Sequence, residues 1–236
     1  MKLEEHLSGL IRRLSSAAGQ NLISLVLHGS AAADDFQPEF SDVNVLAVVN
    51  ELSVPVMQLL APVLAWWTGL GYPAPLFFTQ SELQAVADVF PIEMFDIKHR
   101  HRILHGTDPF QDLDVPMALH RVQLEHEIRT KLLLLRQHYL SVLGDDAKLR
   151  HLMLDSVSNF LALFRHTLIA MGEAPPQHKA EVAQRIAAKL SFDPQPLQQL
   201  LGVRQHKLKA ETLDVNKVFA GYLRAIEVVV EAVDKL

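Results

Sequence analysis

The first 110 residues change hydrophobic period several times, and each change marks an element. Apolar residues at Leu3, Leu7, Leu10, Ile11 and Leu14 recur at helical spacing, and Ala17-Ala18-Gly19 closes the helix they predict. Leu22 to His28 and Val43 to Val49 are near-continuous apolar runs, the pattern of strands buried on both faces. Ser30 to Asp35 reads as a short helix between them. Ser53 to Leu70 reads as a helix with Ser53 as its N-cap and Gly69 and Gly71 at its end. Pro75 to Thr79 follows as a strand, Ser81 to Val89 as a helix, and Ile92 to Lys98 as the last strand. Its alternation sets Glu93, Phe95 and Ile97 on one face and Ile92, Met94 and Asp96 on the other.

Strand signals stop at Gly106-Thr107-Asp108-Pro109. From Met117 the period is helical throughout: Met117 to Leu143, Ala147 to Met171, His178 to Leu190, Pro196 to Leu201 and Asp214 to Asp234. Gly144-Asp145-Asp146, Gly172 to Pro176 and Asp193 to Pro196 supply the breaks. A boundary is therefore expected between 107 and 116, separating an α/β domain over 1–112 from an all-α helical bundle over 113–236.

Composition narrows the class. A chain of 236 residues that is 49% hydrophobic is ample for packed cores. The formal charge of −5 speaks against nucleic-acid binding over the whole surface and leaves room for a local basic cleft. The absence of cysteine excludes disulfides, thiolate metal sites and cysteine nucleophiles. No apolar stretch approaches the roughly 20 residues that span a bilayer, and the amphipathic, early-acidic start lacks a signal-peptide core. A soluble cytoplasmic protein is expected.

The densest chemistry lies between Leu22 and Val49. Gly29-Ser30 ends the first strand, where a turn can point backbone N–H groups at an anion. Asp42 opens the second strand and can hold a divalent cation beside that anion. Asn44 stands two residues on, where a second carboxylate would complete the pair.

These residues resemble the nucleotidyltransferase superfamily that includes DNA polymerase beta and the aminoglycoside nucleotidyltransferases. The match is Leu25-Val26-Leu27-His28-Gly29-Ser30 followed by Ser41-Asp42-Val43-Asn44-Val45. Phe90 to Lys98 and Arg102 to Gly106 are similar to uncharacterised bacterial proteins with a nucleotidyltransferase domain. The resemblance covers about the first 110 residues. It implies an α+β fold, a nucleotidyltransferase-like mixed sheet flanked by helices, with the helical bundle attached. It implies transfer of a nucleoside monophosphate from a magnesium-bound nucleoside triphosphate to a hydroxyl of a small molecule, RNA or protein.

By that resemblance Gly29 and Ser30 cradle the phosphates, Asp42 is the main Mg2+ ligand, and Asn44 occupies the second ligand position. Glu93 is the third catalytic acid, with Asp96 as the other candidate metal ligand. Two metal ions neutralise the charge that develops in such a transfer. An amide offers magnesium a carbonyl oxygen without charge and cannot bridge two cations, so Asn44 is expected to cost several kcal/mol of metal binding or transition-state stabilisation. Three outcomes follow: a nucleotide-binding module impaired in catalysis, a one-metal enzyme, or an enzyme completed from the loop by Asp34, Asp35 or Glu39.

Other charged clusters admit blander readings. Lys98-His99-Arg100-His101-Arg102 reads as a solvated basic edge or a phosphate attractor; His99 and His101 on one strand face lack a third zinc ligand. Arg121, Glu125, Arg129 and Arg136 form a stripe on the long helix, from which Arg129 can reach a triphosphate, although a solvated face is the commoner explanation. Arg121 and His126 also match the Arg-x4-6-His spacing of HEPN ribonucleases, but they open the bundle instead of lying late in it. Trp66-Trp67 reads as packing. A homodimer is admitted, without a residue that specifies it.

Overall fold

The computed structural model describes residues 2–32 and 36–236, which form two compact units, 1–117 and 118–236. The division falls after Phe110 and Leu113, because both are buried in the core of the sheet-bearing unit. No helix among the described residues is long and apolar enough to cross a membrane.

The first unit runs α1 (Lys2–Ala18), β1 (Leu22–His28), β2 (Asn44–Val49), α2 (Val54–Gly69), β3 (Leu76–Thr79), α3 (Gln80–Ala85), α4 (Pro91–His99) and β4 (His101–Gly106). The sheet is mixed, in the order β3-β2-β1-β4; β1 is antiparallel to β2 and β4, and β2 is parallel to β3. Alternate residues of the central strands feed two cores. Leu25, Leu27, Val45 and Ala47 face α1 and α2, whereas Val26, Leu46 and Val48 face α3, α4, Phe110 and Leu113. Burial on both faces is why β1 and β2 read as unbroken apolar runs. Trp67, fully buried, stacks on Tyr72 at 4.4 Å and donates its indole N–H to the Pro73 carbonyl, fixing the turn that leads into β3.

Ile92 to Lys98 is helix, not strand. Pro91 occupies the first turn, where its missing N–H costs nothing, and Pro91, Met94 and Ile97 are buried at a spacing of three. The fourth strand is instead the basic segment His101–Gly106, which lies at the sheet edge. Charged side chains are tolerated there because one flank faces solvent. The helix expected over Ser30 to Asp35 is a 3-10 turn over Gly29–Ala32; Asp34 and Asp35 lie outside the described residues.

The second unit holds α5 (His120–Ser141), α6 (Asp146–Ala170), α7 (Lys179–Leu190), α8 (Gln195–Arg204) and α9 (Val215–Val233). Each follows the periodic segment expected of it to within a few residues. Asp145 and Asp214 cap α6 and α9 through their side chains. The core centres on Phe160, Phe164 and Tyr222, with the Tyr222 hydroxyl 3.0 Å from Ser156 Oγ. A buried pair, His120 Nε2 and His166 Nδ1 at 2.8 Å, joins α5 to α6.

Candidate functional site

The sheet topology brings four chain segments to one edge. β1 ends there at His28, and β2 and β4 both start there, since His28 lies across from Asn44 on one side and from His101 on the other. β3 begins at the same end, with Leu76 paired to Leu46. The expected residues Gly29, Ser30, Asp42 and Asn44 are thus carried by adjoining strand ends.

Gly29 adopts φ +71°, a left-handed conformation that lets the chain leave β1 sharply. A side-chain carbon at Gly29 would meet Asn44 Nδ2 at 3.2 Å, so the Asn44 amide packs over the turn. Asp42 is exposed just ahead of β2. Gly71 to Pro75, leading into β3, contains no acidic residue.

β4 contributes His101 where an acid was expected. His101 Nδ1 donates to the Ile97 carbonyl at 2.8 Å, and its Nε2 lies 3.3 Å from Asp108 Oδ1. With Nδ1 donating, the Asp108 contact is attractive only when the ring carries both protons. Next to it, His28 Nε2 is buried without a hydrogen-bond partner among the described residues. Burial, with a smaller contribution from His101, pushes the His28 pKa down from 6.5 to about 4. His28 is therefore a neutral imidazole at neutral pH.

A stability prediction follows. Between pH 6.5 and 4 the unfolded chain binds a proton at His28 that the folded chain refuses. Stability should be complete above that window, fall as the pH drops through it, and level off below. The loss is at most about 3 kcal/mol, and less to the extent that water reaches the ring. Urea midpoints measured across this range should fall less steeply for His28→Phe than for the wild type; parallel slopes would place the acid sensitivity elsewhere.

The third acid does not lie on the sheet. Glu93 is exposed in the first turn of α4, and Asp96 sits further along that helix. The strand position that recommended Glu93 belongs to the following segment. His99 and His101 likewise do not share a strand face: His99 ends α4, its Nδ1 on the Phe95 carbonyl at 2.7 Å, and His101 opens β4. In the helical unit, Arg129 bonds Glu125 at 3.0 Å and Asp234 at 2.6 Å, Arg121 bonds Glu125, and Arg136 bonds Glu227. His28 and His101, which sequence reasoning left out of the site, were signalled only by standing beside Gly29 and within the basic run.

Magnesium, which the resemblance implies, can be tested against these donors. Among the described residues no three His, Asp or Glu side chains are grouped to hold a metal ion. Among these residues Asp42 is exposed two positions ahead of Asn44, Asn44 is uncharged, and Asp108 lies 3.3 Å from His101. This set does not fit a two-ion site, which needs carboxylates to offset and bridge the cations. The start of β4 that flanks this end of the sheet is basic, with His101 and Arg102.

No protein-family model matches the chain, and no curated protein matches its sequence. In structure it is similar to spectinomycin adenyltransferase AAD(9) from Enterococcus faecialis, crystallised with ATP and spectinomycin. The TM-score is 0.58 at 15% identity, over 95% of this chain and 99% of that one. The chain shares the fold of that adenyltransferase, a mixed sheet flanked by helices with helices following it.

Proposed function

We propose that this chain binds a nucleoside triphosphate at the Gly29–Ser30 end of the sheet, as a nucleotide-binding module impaired in nucleotidyl transfer. The observation that carries the reading is Asn44, an amide packed over the Gly29 turn at the position where the resemblance calls for a carboxylate. The left-handed Gly29 and the 3-10 turn over Gly29–Ala32 support the reading. Asn44 sets a neutral amide in place of the charge that would help hold two magnesium ions.

A second reading has its own support. Asp42 is retained, and the similar adenyltransferase was crystallised with ATP and spectinomycin. On this reading the chain moves a nucleoside monophosphate to a hydroxyl of a small molecule, RNA or protein, with Asp42 as the principal Mg2+ ligand. Asn44 would lend an oxygen, and Glu93 or Asp96 would stand as the candidate third acid.

Calorimetry and pyrophosphate release separate the two. On the first reading, ATP or CTP binds the wild type with affinity that magnesium changes by no more than about twofold, and a metabolite extract yields no pyrophosphate. Asn44→Asp should then gain at least about tenfold in magnesium-dependent affinity, the value of one added charge at a metal site. No gain would remove Asn44 from the metal position. Pyrophosphate release by the wild type that Asp42→Ala abolishes would establish the second reading and overturn the first.

A further inference from the structure

The sheet face turned toward α3 and α4 is apolar until its last row. Val26 pairs with Leu46 on one side and with Ile103 on the other, and all three belong to that core. Two residues nearer the Gly29 end, the row on the same face is Asn44, His28 and His101. His101 engages both ring nitrogens, on the Ile97 carbonyl and on Asp108, and its ring lies 5.0 Å from Phe110. His28, in the middle of the row, is only half-buried as a residue. Its Nε2 is shut off from solvent without a hydrogen-bond partner among the described residues, and its Nδ1 is not enclosed in this way.

We infer that His28 is a binding residue, which carries its proton on Nδ1 and donates it to a phosphoryl oxygen of the nucleotide held at the Gly29–Ser30 turn. This rests on the nucleotide-binding reading above and adds a side-chain donor to it. Packing does not account for the histidine. The row before it is wholly apolar, and a phenylalanine would close the strand end without leaving a polar atom buried and unpaired. His28 immediately precedes Gly29, and Nδ1 is the ring nitrogen nearer the backbone. It is thus the nitrogen set beside the turn.

The tautomer follows from the same geometry. A neutral imidazole has one N–H and one lone pair. A buried N–H without an acceptor is rarer in folded proteins than a buried acceptor without a donor. The enclosed Nε2 therefore keeps the lone pair, and the proton goes to Nδ1. Burial, which lowers the His28 pKa to about 4, keeps the ring in this neutral form at neutral pH. His28 and Asn44, side by side, then face the ligand as two uncharged polar groups, in a row that holds no carboxylate.

Nitrogen-15 spectra of the full chain at neutral pH read the tautomer without any ligand. A protonated Nδ1 and a bare Nε2 are expected at His28, and the reverse overturns the inference whatever the nucleotide does. Calorimetry with ATP in excess EDTA reads the contact. His28→Phe should bind at least about tenfold more weakly than the wild type, the effect of one lost donor to a charged acceptor. His28→Asn, whose amide reaches the place of Nδ1, should stay within about threefold of the wild type, whereas His28→Gln, whose amide reaches the place of Nε2, should lose as much as His28→Phe. Urea unfolding at neutral pH should find His28→Phe at least as stable as the wild type, because the unpaired nitrogen is gone. A less stable His28→Phe would make the histidine a packing residue and overturn the inference. ATP binding alike to the wild type and to His28→Phe overturns it too, and leaves the nucleotide reading standing. ATP that fails to bind the wild type overturns that reading, and the phosphoryl contact with it.

Discussion

Gly106→Ala is expected to destabilise the sheet-bearing unit by about 3–5 kcal/mol, a large share of a domain's total stability. Gly106 ends β4 at φ +77°, and a side-chain carbon there would lie 1.9 Å from the Ile23 carbonyl oxygen. No rotamer relieves that overlap, because both groups belong to the backbone. Relief requires β4 to move away from β1, beside the irregularity between Leu25 and Val26. That movement would also strain the bond from the buried Ser24 hydroxyl to the Thr107 carbonyl, 2.6 Å long. Gly172→Ala supplies the comparison. It carries φ +80° with nothing within 4 Å, so it should show the left-handed strain alone, about 1–2 kcal/mol. Urea unfolding of the two variants tests this directly; equal losses would mean that the β1–β4 contact yields at little cost.

Gly29→Val should leave the fold standing and remove nucleotide binding. A β-branched residue at φ +71° is strongly disfavoured, and its Cβ would press on Asn44 Nδ2. Gly29 is exposed, so the turn can relax toward an ordinary conformation instead of unfolding the sheet. On the proposed reading, the relaxed turn would lose at least one N–H contact to the phosphates. The loss of one charge-assisted bond alone, about 1.5–3 kcal/mol, lowers affinity at least tenfold. Calorimetry with ATP reads the effect, and thermal unfolding confirms the fold. Wild-type affinity in a folded Gly29→Val chain would place the nucleotide elsewhere, and would separate failure of the binding site from failure of the metal argument around Asn44.

The strands buried on both faces and the long amphipathic helices were legible in the sequence, because core burial imposes a period on every residue of such elements. β1, β2 and all five helices of the second unit fall where the pattern puts them. Reading failed between Phe90 and Gly106, where a nine-residue helix, PIEMFDIKH, mimics a strand by mixing apolar and polar residues. The true strand hid behind its histidines and arginines, since an edge strand needs little apolar character. That single exchange moved Glu93 and Asp96 off the sheet and put His101 across from His28. Asn44 was readable from the start because it belongs to a strand whose register is fixed by burial. The pairing of Arg129 with Asp234 spans 105 residues, and no local pattern encodes it.

The two outer strands of the sheet protect themselves by unlike means. β4 presents the Arg102 guanidinium with the polar rings of His101 and His105 beside it, so an intruding strand would have to desolvate a cation to pair with it. β3 carries no charge at all, and its first residue, Leu76, is half exposed. It is kept short instead: four residues, preceded by Pro73 and Pro75, which cannot donate to a new ladder, and followed at once by the Thr79 capping box of α3. Misassembly of this protein through strand addition therefore has one open flank, and substitutions at Pro75 are the ones that would widen it.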